Sequence, residues 1–193
     1  MTCKLNDFIG KLKKQLAQPD VITLENGAVL IGHLPHIGAK AYLHVVFPGQ
    51  LNALSAMRKE TTVAVPSEVE DFYREFNGMI LFQGALSIYG ARSSVSRDPD
   101  QRQPFDLADR NILRRPRFAA ETDFFLGSYN EDGSLLFTER GSSRVFRRPA
   151  ASRTILNTWS GVGHMLNDET DRIGRLFDNA GCQIDPSVPT SPQ

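Results

Sequence analysis

The chain is poor in three things: surplus charge, cysteine and long apolar runs. Lys plus Arg and Asp plus Glu number 22 each, so the formal net charge is zero. A protein gripping nucleic acid or an anionic membrane over a broad surface would carry a basic surplus, so neither partner is expected. The two cysteines, Cys3 and Cys182, stand near opposite ends. Usage this sparse suits a reducing compartment rather than a disulfide scaffold. No window approaches the roughly 18 apolar residues of a membrane span. The opening stretch MTCKLNDFIGKLKKQLAQ is basic but lacks the apolar segment and small-residue cleavage site of a secretory signal. A cytoplasmic protein is the expectation. At 193 residues, one good core fits and two would be cramped.

What is present is strongly patterned. Leu5, Phe8, Ile9, Leu12 and Leu16 recur at helical spacing, with Asn6 or Asp7 near the start and Pro19 beyond the end. VITLENGAVLIGHL reads as a hairpin turning at Glu25-Asn26-Gly27, and AYLHVVF as a further strand. Leu51, Leu54 and Met57 fit a short helix. In VPSEVEDFYREFNG, Pro66 holds Val65 extended, Ser67 and Glu70 match a capping box, and Val69, Phe72, Tyr73 and Phe76 form one apolar stripe. Gly78 is the expected left-handed cap, before strands in MILF and ALSIY. Residues 91–122 read as a long loop with one helical turn near Leu107 to Ile112, and such loops are more often functional than short ones. DFFLGSY, SLLFTE and RVFRR then form a meander, joined by turns rich in Asn, Asp, Gly and Ser. TILNTW leads to a last helix capped by Ser160, burying Val162, Met165, Leu166, Ile173, Leu176 and Phe177, and ended by Gly181. Its first turn is weakened by Gly161 and Gly163. The Pro/Ser-rich residues 185–193 are expected to be disordered.

Motifs of chemistry are missing. GALSIYG does not have the G-x-S-x-G spacing of a nucleophile elbow, and SGVG is not a dinucleotide fingerprint. His33 and His36 flank Leu34-Pro35 in a loop without paired cysteines or a carboxylate motif, so no metal site is expected. Neither cysteine has an evident activating partner in the sequence. Arg110, Arg114, Arg115 and Arg117 cluster, and Arg144, Arg147 and Arg148 line a strand. They suit either an anion contact or internal pairing with Asp98, Asp100, Asp106, Asp109 and Glu121, and the balanced composition of residues 91–122 favours pairing. The acidic residues Glu68, Glu70, Asp71 and Glu75 suit a basic partner or a solvated helix face, and the solvated face is favoured.

In order and spacing, VPSEVEDFYREFNG, ALSIYG, FFLGSYNEDGSLLF with RVFRR, and WSGVGHMLNDETDRIGRLFDNAG resemble the SUKH superfamily of Smi/Knr type. They span roughly residues 50–181. The resemblance implies an α+β fold: a largely antiparallel β-sheet with N-terminal, central and C-terminal helices packed against it. Bacterial members are thought to be immunity proteins that neutralise polymorphic toxins, often nucleases, and fungal members act in cell-wall regulation. The family is not characterised by an active site, so no catalytic residue is carried over. Gly161 and Gly163 depart from its pattern, where bulkier residues are usual, and residues 1–48 are an extension that it leaves unexplained.

The expectation is therefore one domain over residues 1–184 that binds a toxin domain encoded nearby and is not an enzyme, with no catalytic, cofactor-binding or metal residues. A regulatory scaffold and a small-substrate enzyme are the rivals. Tight interfaces concentrate energy in a few anchors, so Arg92, Arg97 and Arg102 of the long loop are the candidate partner-binding residues. Each could instead pair locally with Asp98 or Asp100.

Overall fold

The computed structural model describes residues 4–49, 65–92 and 102–193. The expected helix around Leu51, Leu54 and Met57 lies outside these, as do Arg97 and Cys3. Among the described residues, nine strands form one antiparallel sheet in which spatial order equals chain order. They are β1 (Val21–Thr23), β2 (Val29–His33), β3 (Tyr42–Pro48), β4 (Phe76–Leu81), β5 (Leu86–Ile88), β6 (Asp123–Tyr129), β7 (Leu135–Glu139), β8 (Val145–Arg148) and β9 (Asn157–Trp159). The α-helices among the described residues are α1 (Leu5–Lys13), α2 (Ser67–Glu75) and α3 (Val162–Gly174). The fold is α+β. Residues 1–48 supply α1 and three of the nine strands.

Alternation along strands sends successive side chains to opposite faces. On one face, Val46, Met79 and Ile88 follow the register across β3, β4 and β5. The helices close over this face: Phe8 and Leu12 of α1, Val69 and Tyr73 of α2, and Met165, Leu166 and Ile173 of α3 share its buried cluster. Phe8 meets Phe76 edge to face at 5.8 Å, and Phe72 stacks on Phe76 at 5.1 Å. Tyr73 is buried and donates its hydroxyl to the Tyr89 carbonyl. Phe72 keeps one side partly exposed, so the stripe is less deeply buried than its spacing suggests.

Local details differ from expectation at both ends of α2 and α3. Pro66 takes the N-cap position of α2, which leaves Ser67 inside the first turn, and no side chain caps the helix. The helix runs directly into β4, so Gly78 is no C-cap. It sits in the strand at φ +88°, where a Cβ would come within 2.7 Å of the Ile88 carbonyl oxygen. Close approach of β5 requires the glycine. In α3 the N-cap is Gly161, and the Ser160 hydroxyl instead meets His164 Nδ1 at 3.0 Å. The helix ends at Gly174, leaving Leu176 and Phe177 beyond it, while Gly181 makes a later turn. Glu169 is buried in α3 because Arg172 grips its carboxylate.

The last residues, expected to be disordered, are held down. Glu131 accepts from the backbone and hydroxyl of Thr190 and from the Ser191 amide. Arg172 and Arg147 donate to the carbonyls of Thr190 and Pro192. One carboxylate in the β6–β7 turn thus satisfies polar groups that a Pro/Ser-rich tail would otherwise give to water.

Candidate functional site

The opposite face of the sheet is not closed in the same way. Register places Ile80, Ser87, Ser128 and Leu135 in one row across β4 to β7. At its β2–β3 end a small separate cluster, Ala28, Leu30, Val45 and Phe47, packs against Ile80. At the other end, residues 107–123 lie over Phe125 and Phe137. Asn111 anchors them there, donating to the Phe125 carbonyl and accepting the Phe125 amide at 2.9 and 2.8 Å. Between these covered ends a groove of about 690 Å³ remains over Ser87 and Ser128.

The two serines give the floor hydroxyls. Tyr89 is one wall. Burial pushes its phenol up, with Ser128 and Arg110 acting against that, so the group stays protonated at neutral pH. The other wall comes from residues 105–114, tied to the sheet where Gly90 and Asp106 form a bridge. A π-helical turn, Asp109–Leu113, projects Arg110 toward the groove, and Arg114 follows it. Both cations share Asp109, at 3.8 Å from Arg110 and 2.6 Å from Arg114. Beside them Phe105 is 50% exposed and Leu113 75% exposed. Aromatic and aliphatic side chains thus stand in water next to arginines.

Of the three arginines expected to bind a partner, the two that are described are not brought together. Arg92 lines the groove and donates Nε to the Pro104 carbonyl at 2.7 Å. Arg102 points elsewhere: it donates to the Lys40 carbonyl, and its own carbonyl accepts from Asn26 at 2.7 Å. Arg97 lies outside the described residues. Internal pairing accounts for most remaining arginines. Arg148 is 4% exposed, paired with a 3% exposed Asp123 at 2.9 Å, and lies over the rings of Phe118, Phe125 and Phe137. Arg147 reaches Ser134, Asn157 and Asp132. Arg115 donates to the carbonyls of Ala120 and Asp123.

On α2, Arg74 meets Asp71 at 2.7 Å, and Lys4 meets Glu75 at 2.9 Å. The acidic face is thereby partly neutralised from within. The histidines go to separate places. His33 rests against Tyr42 with Nε2 near the Ala39 carbonyl, and His36 stands beside Cys182. His44 is wholly buried against Phe82, and burial lowers its pKa to about 3.

Ser87, Tyr89 and Ser128 were not singled out as site residues from sequence. Their signal was there: a polar residue at one alternate position in the apolar strands LSI and LGSY marks a sheet face left open to water. Which loop would wall that face depends on the fold. No protein-family model, curated protein or solved structure matches this chain.

Proposed function

We propose that the protein acts by binding, not by catalysis, and that its partner is a toxin domain encoded beside it, which it neutralises in the cytoplasm by covering a working surface. The observation that carries this reading is the segment from Phe105 to Arg114. It sets exposed Phe105 with Arg110 and Arg114 at the rim of a groove floored by serines, and exposed Leu113 directly precedes Arg114. Aromatic and arginine anchors next to a recess are what concentrated binding energy needs. The groove arginines are already oriented by Asp109 and by the Pro104 carbonyl, so less ordering is required when a partner docks. The resemblance to SUKH proteins supplies the toxin as partner. No helix among the described residues is long and apolar enough to cross a membrane.

The test is co-expression with the product of the adjacent gene, scoring survival and complex formation. Wild type should protect. Phe105→Asp, Leu113→Asp and Arg92→Glu should lose protection while keeping their denaturation midpoints. Full protection by all three folded variants would move the interface away from the groove. If wild type neither binds nor protects against any linked toxin, the toxin reading gives way to a regulatory scaffold.

A further inference from the structure

Cys182 and His36 stand 146 positions apart in sequence, yet Sγ lies 3.2 Å from Nε2. Both sit on fixed turns. The Asp178 carboxylate accepts the amides of Ala180 and Cys182, the Asp178 amide donates to the Cys182 carbonyl, and Gly181 occupies the left-handed region at φ +79°. Gln83 donates to the Gly181 carbonyl, which ties this turn to the sheet. On the other side, the amides of Ile37 and Gly38 close a turn onto the Leu34 carbonyl. The thiol is free and half-buried, and the imidazole is exposed. They share the wall of a recess of about 610 Å³ with Glu131, Gln183, Ile37 and Val188. The recess therefore offers hydrogen-bonding and apolar surface to whatever the sulfur acquires.

A thiolate is the reactive form of cysteine, and a neighbouring imidazole that accepts the thiol proton supplies it. We propose that Cys182, with His36 as its proton acceptor, is a site of reversible mixed-disulfide formation with a low-molecular-weight disulfide. The Cys182 proton passes to His36 Nε2, and the thiolate attacks one sulfur of the small disulfide. A new S–S bond forms as the old one breaks, and the departing thiolate leaves as a thiol with the proton from His36. The small disulfide is the oxidant, and one of its halves is released reduced. The recess holds the other half against the protein. This site is separate from the groove and does not depend on the toxin reading.

The experiment uses the full chain in a Cys3→Ser background, so that Cys182 is the only thiol, with oxidised glutathione and an aromatic disulfide as probes. Second-order rates are measured across pH for this protein and for His36→Ala and His36→Gln. Both variants should react about threefold more slowly near neutral pH, because the larger thiolate population of the paired cysteine is partly offset by its lower nucleophilicity. The gap should close above about pH 9, where a thiol ionises unaided. A merely structural histidine would not produce that pH-dependent convergence. The adduct should map to Cys182 and be released by dithiothreitol. Since His36 is exposed, the denaturation midpoints should be unchanged, and the glutamine variant serves if the alanine variant shifts. Equal rates for parent and variants at neutral pH would overturn the proposal, as would a parent rate no faster than that of free cysteine.

Discussion

Leu86 and Ser87 are neighbours in β5 and face opposite ways. Leu86 points into the cluster closed by the helices, while Ser87 floors a groove that solvent enters. On the first face every position reports on packing. On the second, packed ends bracket a short uncovered stretch, and only there do polar atoms from β5, β6 and the Phe105–Arg114 segment converge. The arginines repeat the contrast. Arg148 is sealed with Asp123 beneath that loop, whereas Arg114 holds Asp109 at 2.6 Å with 73% of its side chain exposed. Two ion pairs from one loop and one sheet face thus have different tasks. The sealed pair joins β6 to β8 and gives the loop its footing through the Ala120 amide and the Phe118 ring, and the exposed pair shapes a rim.

The comparison can be broken most directly at the sealed pair. Asp123→Ala strands a buried guanidinium and should cost about 3–5 kcal/mol in urea unfolding. Asp123→Leu combined with Arg148→Met should recover much of that loss, since the apolar pair leaves no charge unmatched. A cost below about 1 kcal/mol for the single variant would mean that water reaches Arg148.

Leu86→Ala comes next, with an expected loss of about 2–5 kcal/mol measured the same way. A small loss would show that the helix-covered face packs loosely.

Acid should act through His44 on the closed face. Its folded pKa of about 3 lies below the ordinary histidine value of 6.5, because burial disfavours the charged ring. The unfolded chain binds the proton more readily, so this contribution is fully present above about pH 6.5 and is lost progressively as pH falls toward 3. The loss should reach a few kcal/mol on the order of what linkage allows. His44→Phe should flatten that part of the stability–pH curve, and an unchanged slope would assign the acid sensitivity to other groups.

The smallest effect belongs to the rim. Arg114→Ala should change stability by no more than about 0.5 kcal/mol. A larger shift would make the rim pair structural and weaken its role as an anchor.

Much of this architecture is legible in the sequence, and the reasons differ by element. The hairpins are plain because Asn26-Gly27 and Asp132-Gly133 supply the turn chemistry between β-rich runs, and the α2 stripe is plain because its spacing is helical. The capping box is not realised because Pro66 occupies the N-cap position that Ser67 is expected to fill. Gly78 is no helix cap, and the Ile88 carbonyl that requires a glycine there is ten positions away in another strand. The tail looked disordered because its anchor, Glu131, lies 59 positions earlier, in a turn whose acidic residues read as ordinary loop composition. Arg148 is paired internally, as the favoured reading has it, but nothing local announces that Asp123, Phe118 and Phe125 enclose it. Of the expected arginines, Arg92 lines the groove, Arg102 does not, and Arg97 lies outside the described residues. The groove floor needed the register.

The strictly sequential strand order has a consequence for how the chain assembles. Among the described strands, six of the eight junctions are short, whereas residues 49–75 separate β3 from β4 and residues 89–122 separate β5 from β6. Closing either long loop is entropically dearer than closing a hairpin. Short hairpins form in microseconds, so three strand blocks, β1–β3, β4–β5 and β6–β9, should mature separately, with the last two docking at the Leu86–Tyr129 register. Pulse-labelled hydrogen exchange would then protect the amides of the β6–β7 hairpin before those bonding β5 to β6. Simultaneous protection of the two sets would mean a single nucleus that spans the groove.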